Sequence, residues 1–236
     1  TLATDRTFNS AGMYTDANGE IQFYDNEIDN YKQDHFQLHW NQKVSEHWNT
    51  NLAFHYTRGR GFFEQYKEDA DFSDYGLEPI VVDGQEVNTT DLIRRKWLNN
   101  NFYGTVFSAN YTQDGLKVIL GGGWNKYEGE HYGEIIWAQY ASNSSIRERY
   151  YDDDADKSDF NVFTKAIYDL TDQWKLFGDL QYRKVDYFTD GEETGLVDDN
   201  FNFFNPKAGI TFLLNANNTF YFSYARANRE PNRDDY

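Results

Sequence analysis

The sequence contains no cysteine and only three prolines among its 236 residues. Without cysteine the chain forms no disulfide and no thiolate metal site, although it remains compatible with an oxidising compartment. No run approaches the roughly 20 apolar residues that a membrane-spanning helix requires, which excludes a helical membrane protein. Basic residues are also scarce, since 22 Lys and Arg against 39 Asp and Glu give a net charge of −17. So acidic a chain, without a basic stripe, is not expected to bind nucleic acid.

Aromatic residues, in contrast, are abundant. Phe, Trp and Tyr make up 19% of the chain, although its mean hydropathy is −0.87. This length suffices for one large β domain. Many aromatics with few aliphatics are unusual in a soluble core. They are typical of a transmembrane β-barrel, in which only alternate residues of short segments contact lipid and the loops are polar.

Alternating apolar residues follow three predicted short turns. Because successive side chains of a strand point to opposite faces, one face of each segment is apolar and carries aromatic residues at its ends. The other face carries polar residues such as Asn49, His55 and Gln181. Strands of this kind suit a boundary between lipid and water. The apolar sets are Trp48, Leu52, Phe54 and Tyr56; Trp174, Leu176, Leu180 and Tyr182; and Phe220, Phe222 and Tyr224.

The whole pattern predicts an all-β fold, an antiparallel transmembrane β-barrel segment of about eight strands in four hairpins. Asp114-Gly115 between two alternating runs is a strong turn signal, because Gly tolerates positive φ. Pro206 is expected near the end of its strand or at a bulge, since proline donates no ladder hydrogen bond. Short turns at one end and long predicted loops at the other, over about 59–97, 127–157 and 190–200, are typical of outer-membrane barrels with extracellular loops.

The last residues of the chain carry a resemblance to a family. Segment 224–236 contains Arg229, Glu230, Pro231 and Arg233, and resembles the Arg-Glu-Pro-x-Arg passage of TonB-dependent outer-membrane receptors, particularly those of Bacteroidetes. Segments 6–12, 121–127 and 133–138 are similar to loop passages of the same receptors. The motifs are short, and the strands between them are generic barrel strands.

The resemblance implies a 22-stranded barrel in the cell outer membrane, plugged by an N-terminal domain. Such receptors import ferric siderophores, haem, cobalamin or glycans with energy from the TonB complex, which is contacted through the plug. Residues 1–236 show no recognisable plug and no TonB box, and both ends look cut. We therefore expect a partial β-barrel domain. Whether eight strands close into a small barrel, stay open or pair with a copy is left open.

Candidate ligand contacts are expected in the long loops, because recognition concentrates on loops carried by a rigid scaffold. Cations beside aromatic rings suit an anionic chelate or a planar ligand. The alternative is that these aromatics pack the loops together or lie at the outer membrane interface. The candidates are Arg58, Arg60, Phe62, Phe63 and Tyr66 in the first loop, and Trp137, Tyr140, Tyr150 and Tyr151 in the second.

Neither a metal site, a cofactor nor an enzyme is predicted. The acidic run 152–156 offers oxygen ligands, but it lacks the Gly and the distal Glu of a calcium loop and is better explained as a solvated loop. The five His show no zinc-site spacing. Paired carboxylates arise by chance in so acidic a chain, and there is no nucleophile elbow. The alternative function is a soluble β-sandwich carbohydrate-binding module, since exposed Trp and Tyr stack on sugars.

Overall fold

The computed structural model describes residues 12–26 and 28–232. Its main element is one antiparallel sheet of eight strands, accompanied by two small hairpins and a 3₁₀ turn over Phe72–Tyr75. The small hairpins are formed by β1 (Met13–Thr15) with β2 (Ile21–Phe23), and by β5 (Ile80–Val82) with β6 (Gln85–Val87). The long strands are β3 (Asp29–Lys43), β4 (Trp48–Asp71), β7 (Thr89–Gln113), β8 (Leu116–Ala138), β9 (Arg149–Asp169), β10 (Trp174–Asp190), β11 (Val197–Asn215) and β12 (Asn218–Ala225).

The spatial order of the sheet is β12-β11-β10-β9-β8-β7-β4-β3, so each long strand pairs with the long strands before and after it in sequence. The prediction of eight strands in four hairpins is confirmed. Among the described strands β3 and β12 each pair with one neighbour, which makes them sheet edges. The sandwich alternative is wrong, because a sandwich requires two large sheets packed face to face.

No helix in the described ranges is long and apolar enough to cross a membrane.

The short turns 44–47, 114–115, 170–173 and 216–217 lie at one end of the sheet. Asp114 has φ 45° and Gly115 has φ 79°, the pair of left-handed residues expected for this two-residue hairpin. Two other turns share one construction. The Oγ of Ser45 accepts a hydrogen bond from the Trp48 amide at 3.2 Å, and the Oγ1 of Thr171 accepts one from the Trp174 amide at 3.0 Å.

The strands are longer than predicted. β4 has 24 residues, β7 has 25 and β8 has 23, and the connections between long strands shrink to 72–88, 139–148 and 191–196. The predicted long loops were therefore mostly wrong, because segments such as 59–71 continue the ladder. Alternation of apolar residues reports a strand only where one face is apolar. Farther along, polar and aromatic residues occupy both faces, yet the backbone groups still pair with the adjacent strands.

Pro206 lies inside β11, opposite Leu180 of β10, and not at the strand end or at a bulge as predicted. No ladder hydrogen bond is lost, even though proline has no N–H to donate to a neighbouring strand. The carbonyl of Pro206 accepts a hydrogen bond from the Arg226 amide at 3.0 Å, so the missing N–H faces the side where β12 has just ended at Ala225. The neighbouring strand therefore stops where proline cannot continue the ladder.

The longest connection, 72–88, has a small apolar core of its own. Phe72, Tyr75 and Leu77 are buried against Leu92 of β7 and Ile135 of β8. Gly76, with φ 66°, ends the 3₁₀ turn, and the Leu77 amide donates to the Phe72 carbonyl at 2.9 Å. This packing holds the connection against the long strands.

Candidate functional site

The sheet register places the predicted apolar residues of all eight strands on one face, which we call the outer face; the opposite face is the inner face. Directly paired residues share a face, so a row across the sheet can be read from the register. One outer row is Trp40, Leu52, Phe107, Gly122, Val162, Tyr182 and Phe204. The adjacent inner row is Asn41, Asn51, Ser108, Gly121, Phe163, Gln181 and Asn205.

The outer face carries an apolar band of constant height. It covers 48–56, 103–111, 116–124, 160–168, 174–182 and 204–212, with aromatic residues at both ends of nearly every span. Each span matches the roughly nine to eleven residues that a tilted transmembrane strand needs. Leu38, Phe54, Leu120 and Leu180 are each between 47% and 65% exposed within the chain. Apolar surface of this extent requires an apolar environment.

Beyond the band, on the side of the long connections, the outer face becomes polar. The first outer positions past the band carry Arg58, Lys126 and Lys184 together with Asn101, Ser158 and Asn202. Lys126 pairs with Asp156 at 2.9 Å, and Lys184 pairs with Asp186 at 3.0 Å. Charge therefore appears on this face only outside the apolar spans.

The first group of predicted ligand residues lies in β4 and not in a loop, and the structure divides it between faces. Arg58, Arg60 and Phe62 lie on the outer face, whereas Phe63 lies on the inner face. The ring centroids of Phe62 and Trp97 are 4.6 Å apart, and the guanidinium of Arg60 lies 5.4 Å from the Trp97 ring. Tyr66, farther along, donates to Asp91 at 2.6 Å.

The second group is also mostly in strands. Trp137 is an exposed residue of β8, and Tyr150 and Tyr151 belong to β9; only Tyr140 lies in a loop, 139–148. Tyr140 and Tyr150 pack against the core of connection 72–88, and Tyr150 contacts Tyr75 at 4.7 Å between centroids. The acidic run 152–156 is likewise part of β9, so its carboxylates alternate between faces. Within the described residues, no group of three or more His, Asp or Glu is placed to hold a metal ion.

A cavity of about 520 Å³ opens on the inner face near the long connections. Phe62, Phe63 and Tyr151 are the predicted residues that line it. Sequence reasoning missed its other members, which would have been found by continuing the strand alternation through the segments interpreted as loops. They include Tyr31, Leu98, Lys96, His131, Asp29, Asp153 and Glu193. The cavity thus combines aromatic surface with charges of both signs.

Connection 191–196 closes one side of this cavity. Lys96 pairs with Glu193 at 2.7 Å, and its ammonium lies 4.9 Å from the ring of Tyr151. Asp153 is only 2% exposed and accepts a hydrogen bond from the Glu193 amide at 3.2 Å. A side chain at Gly191 would collide with the Asp153 carboxylate. Two strands therefore hold the connection over the inner face by charge and by close approach.

Glycines on the inner face make room for aromatic rings. A Cβ at Gly59 would overlap the Tyr31 hydroxyl, and one at Gly61 would meet the Asn30 carbonyl and lie 2.5 Å from the Tyr31 Cα. The Tyr31 hydroxyl donates to Asn100 at 3.0 Å. Tyr31 is therefore held flat beside β4, with its ring at the cavity wall.

The motif segment leaves the sheet after β12 and crosses the inner face. Asn228 donates from its amide to the buried Asn205 at 2.8 Å. The carboxylate of Glu230 accepts hydrogen bonds from Lys157 and from Arg183, each at 2.8 Å. Burial opposes ionisation of Glu230, but these hydrogen bonds outweigh it and lower the pKa of the carboxyl to about 2.

Arg229, Glu230 and Pro231 line a second inner cavity of about 430 Å³ together with Lys157 and Arg183. Sequence reasoning identified the motif residues through the resemblance, and the structure adds their partners on β9 and β10. Arg233 and the similar segment 6–11 lie outside the described residues. The motif is therefore built into the polar side of the sheet.

Comparisons with known proteins agree with this geometry. A family model described as "TonB dependent receptor-like, beta-barrel" matches residues 1–236. The solved structure of the copper transporter OprC matches with a TM-score of 0.59 and 13% identity, over 86% of this chain and 31% of that chain. The open form of the ferric-catecholate import receptor Fiu from E. coli K12 matches with a TM-score of 0.54 and 15% identity, over 86% of this chain and 37% of that chain. The chain thus spans about a third of the length of these two structures, and its similarity to them shows the fold. The search of curated proteins found no match.

Proposed function

The chain belongs to the TonB-dependent receptor β-barrel family, and we propose that it forms part of the barrel of an outer-membrane receptor that imports a scarce nutrient with TonB energy. The proposed cargo is a small molecule or chelate, such as a ferric siderophore, haem, cobalamin or a glycan. The family consists of transport receptors and not of enzymes, so no catalytic role is proposed. Contact with the TonB complex would be made by the plug domain of the full-length receptor.

The observation that carries this proposal is the contrast between the two faces of one sheet. The outer face presents only apolar and small residues over a height that fits the hydrocarbon layer, whereas the inner face carries Asn, Lys, Asp and Gln at the same level. A soluble protein would expose this apolar surface to water at a large free-energy cost. A barrel wall between lipid and a wet interior requires this distribution.

The proposed orientation follows from the connections. Short turns face the periplasm in outer-membrane barrels, and longer loops face the exterior. The connections 72–88, 139–148 and 191–196 would then be extracellular, and the strand segments beyond the apolar band would project from the membrane. Cargo arriving from outside would meet the inner face at its loop end.

We propose the cavity of about 520 Å³ as the point of cargo contact, in place of the two loop clusters expected from sequence. Phe63 and Tyr151 provide apolar contact, and Lys96 provides a positive charge for an anionic chelate. The ion pair between Lys96 and Glu193 would have to open when an anionic group enters. Phe62 reaches the same cavity from the outer face, and the other predicted residues lie on the outer face or in the core of connection 72–88.

The first experiment is made on the full-length parent protein in its native membrane. Cell fractionation would locate it, and migration on a denaturing gel with and without boiling would report a folded barrel. We expect recovery with the outer membrane and faster migration of the unboiled protein. A parent that is soluble and migrates identically with and without boiling would refute the proposal.

A further inference from the structure

The outer face carries a second concave site, just beyond the apolar band. A cavity of about 380 Å³ lies between β3, β4 and β7, and it adjoins the 520 Å³ cavity of the inner face, with which it shares Gly61, Phe62 and Trp97. It is lined by the cations Lys32, Arg58 and Arg60, by Phe62 and Trp97, and by Asn30, Asp34 and Gly61. Three cations against one carboxylate make it locally positive in a chain whose net charge is −17.

Neither arginine of this site forms an ion pair with a carboxylate among the described residues, although Asp34 lies opposite Arg58 in the register and Arg60 acts at longer range on Glu130. Lys32 pairs with Asp34 at 3.2 Å, but the ion pairs of the described residues include neither Arg58 nor Arg60. Arg58 donates to the neutral Asn101 at 3.3 Å. Arg60 lies over Trp97, a contact that leaves the hydrogen-bonding edge of a guanidinium available. By contrast Lys126 and Lys184, at the same level of the outer face, both have carboxylate partners.

The distance of the site from the apolar band places it at the level of the membrane surface. Tyr56 is the last aromatic residue of the β4 span, and Arg58 and Arg60 are the next two outer positions. At about 3.3 Å per residue and a tilt near 40°, they lie roughly 5 and 10 Å above Tyr56. The polar headgroup layer is about 5 to 8 Å thick on each side of the hydrocarbon core, so Arg58 lies within it and Arg60 lies at its outer edge.

We propose that this cavity binds the phosphate of an anionic lipid headgroup in the outer leaflet of the membrane. Arg58 and Arg60 would donate to the phosphate oxygens, and the apolar band directly below would contact the acyl chains of the same lipid. Guanidinium groups match phosphate geometry by paired donation. The inference rests on the proposed function, since it requires the outer face to contact lipid.

The test uses the full-length parent in detergent and two short-chain lipids with identical acyl chains, a phosphatidylglycerol and a phosphatidylcholine. The variant Arg58→Gln with Arg60→Gln removes the two unpaired cations. The control Lys165→Gln with Lys207→Gln removes the same charge from the inner face. Isothermal titration of each lipid, with and without inorganic phosphate as competitor, measures the affinity.

We expect the parent and the control to bind the phosphatidylglycerol more tightly than the phosphatidylcholine. The arginine variant should lose about tenfold or more in phosphatidylglycerol affinity, because each basic residue near a lipid surface adds attraction for anionic lipid. Equal phosphatidylglycerol affinities of parent and arginine variant would overturn the inference. So would full displacement of the lipid by millimolar inorganic phosphate, which would indicate a site for the free ion.

Heat-modifiable migration of every variant separates this inference from the proposed function. If the parent and both double variants show the folded-barrel shift and membrane location, a negative lipid result overturns the headgroup site alone. If the parent itself fails both tests, the receptor proposal and the headgroup site fall together.

Discussion

A charge placed at the middle of the apolar band gives the sharpest test of which face contacts lipid. Leu52 is the central outer residue of span 48–56 and lies between Trp40 and Phe107 in its row. The change Leu52→Arg puts a guanidinium at the level of the bilayer midplane. Asn51→Arg, one residue earlier, puts the same group on the inner face, beside Ser108.

The expected loss of stability depends on how deep the new charge lies in the bilayer. Arg on the lipid face costs about 2 to 4 kcal/mol at the midplane and about 0 to 1 kcal/mol near the interface. Leu52→Arg should therefore lower the free energy of unfolding by about 3 kcal/mol, roughly a hundredfold in the folding equilibrium. Tyr56→Arg, at the edge of the same span, should cost about 1 kcal/mol or less. Asn51→Arg should be nearly neutral.

The assay is urea unfolding of the full-length parent and its three variants in lipid bilayers, followed by the gel shift of unboiled protein. The order of stability should be Asn51→Arg, then Tyr56→Arg, then Leu52→Arg. Equal stability of Leu52→Arg and Asn51→Arg would refute the assignment of the outer face to lipid. A larger loss at Tyr56 than at Leu52 would refute the position of the band.

Three further outcomes are expected. Glu230→Gln should lower the free energy of unfolding by roughly 1 to 3 kcal/mol, because it removes a carboxylate from two cations. The stability difference from wild type should be complete above pH 4.5 and should vanish as the pH falls through about 2, which unfolding at a series of pH values would check. A difference independent of pH would contradict the ion-pair origin. Gly61→Ala should lower the free energy of unfolding by about 1 to 3 kcal/mol, because its new Cβ would collide with backbone atoms. Gly178→Ala, which has open space around it, should change the same quantity by no more than about 0.5 kcal/mol. Equal effects of the two variants would contradict the close packing at Gly61. Lys96→Gln should weaken binding of an anionic cargo about tenfold, measured by titration, and should change stability by about 1 kcal/mol or less, because its ion pair with Glu193 is partly exposed. Unchanged affinity would remove Lys96 from the proposed site.

Much of the fold was accessible from sequence because the apolar band imposes a strict alternation. Trp48 through Tyr56 and Trp174 through Tyr182 carry the period of a strand with one lipid-facing side, and Asp114-Gly115 carries the conformation of a two-residue turn. These signals are local, so they can be read without knowing the partners of a strand. The number of strands and their hairpin pairing follow from them.

The candidate site was less accessible, because its residues lie where the period disappears. The segment after Arg58 has polar or aromatic residues on both faces, so it resembles a loop although it continues β4. Phe62 and Phe63 are neighbours in sequence and lie on opposite faces. Lys96 and Glu193 are far apart in sequence, and only the register and the path of connection 191–196 bring them together.

The sequence by itself determined the all-β class, the short turns and the apolar outer face, since each depends on the chemistry of a few adjacent residues. Tertiary structure decided how far the strands extend, which residues share a cavity and where Glu230 finds Lys157 and Arg183. Those features depend on hydrogen bonds between distant strands, and such pairing leaves no periodic trace where both faces are polar. Local alternation thus defined the lipid-facing wall, and long-range register defined the polar sites.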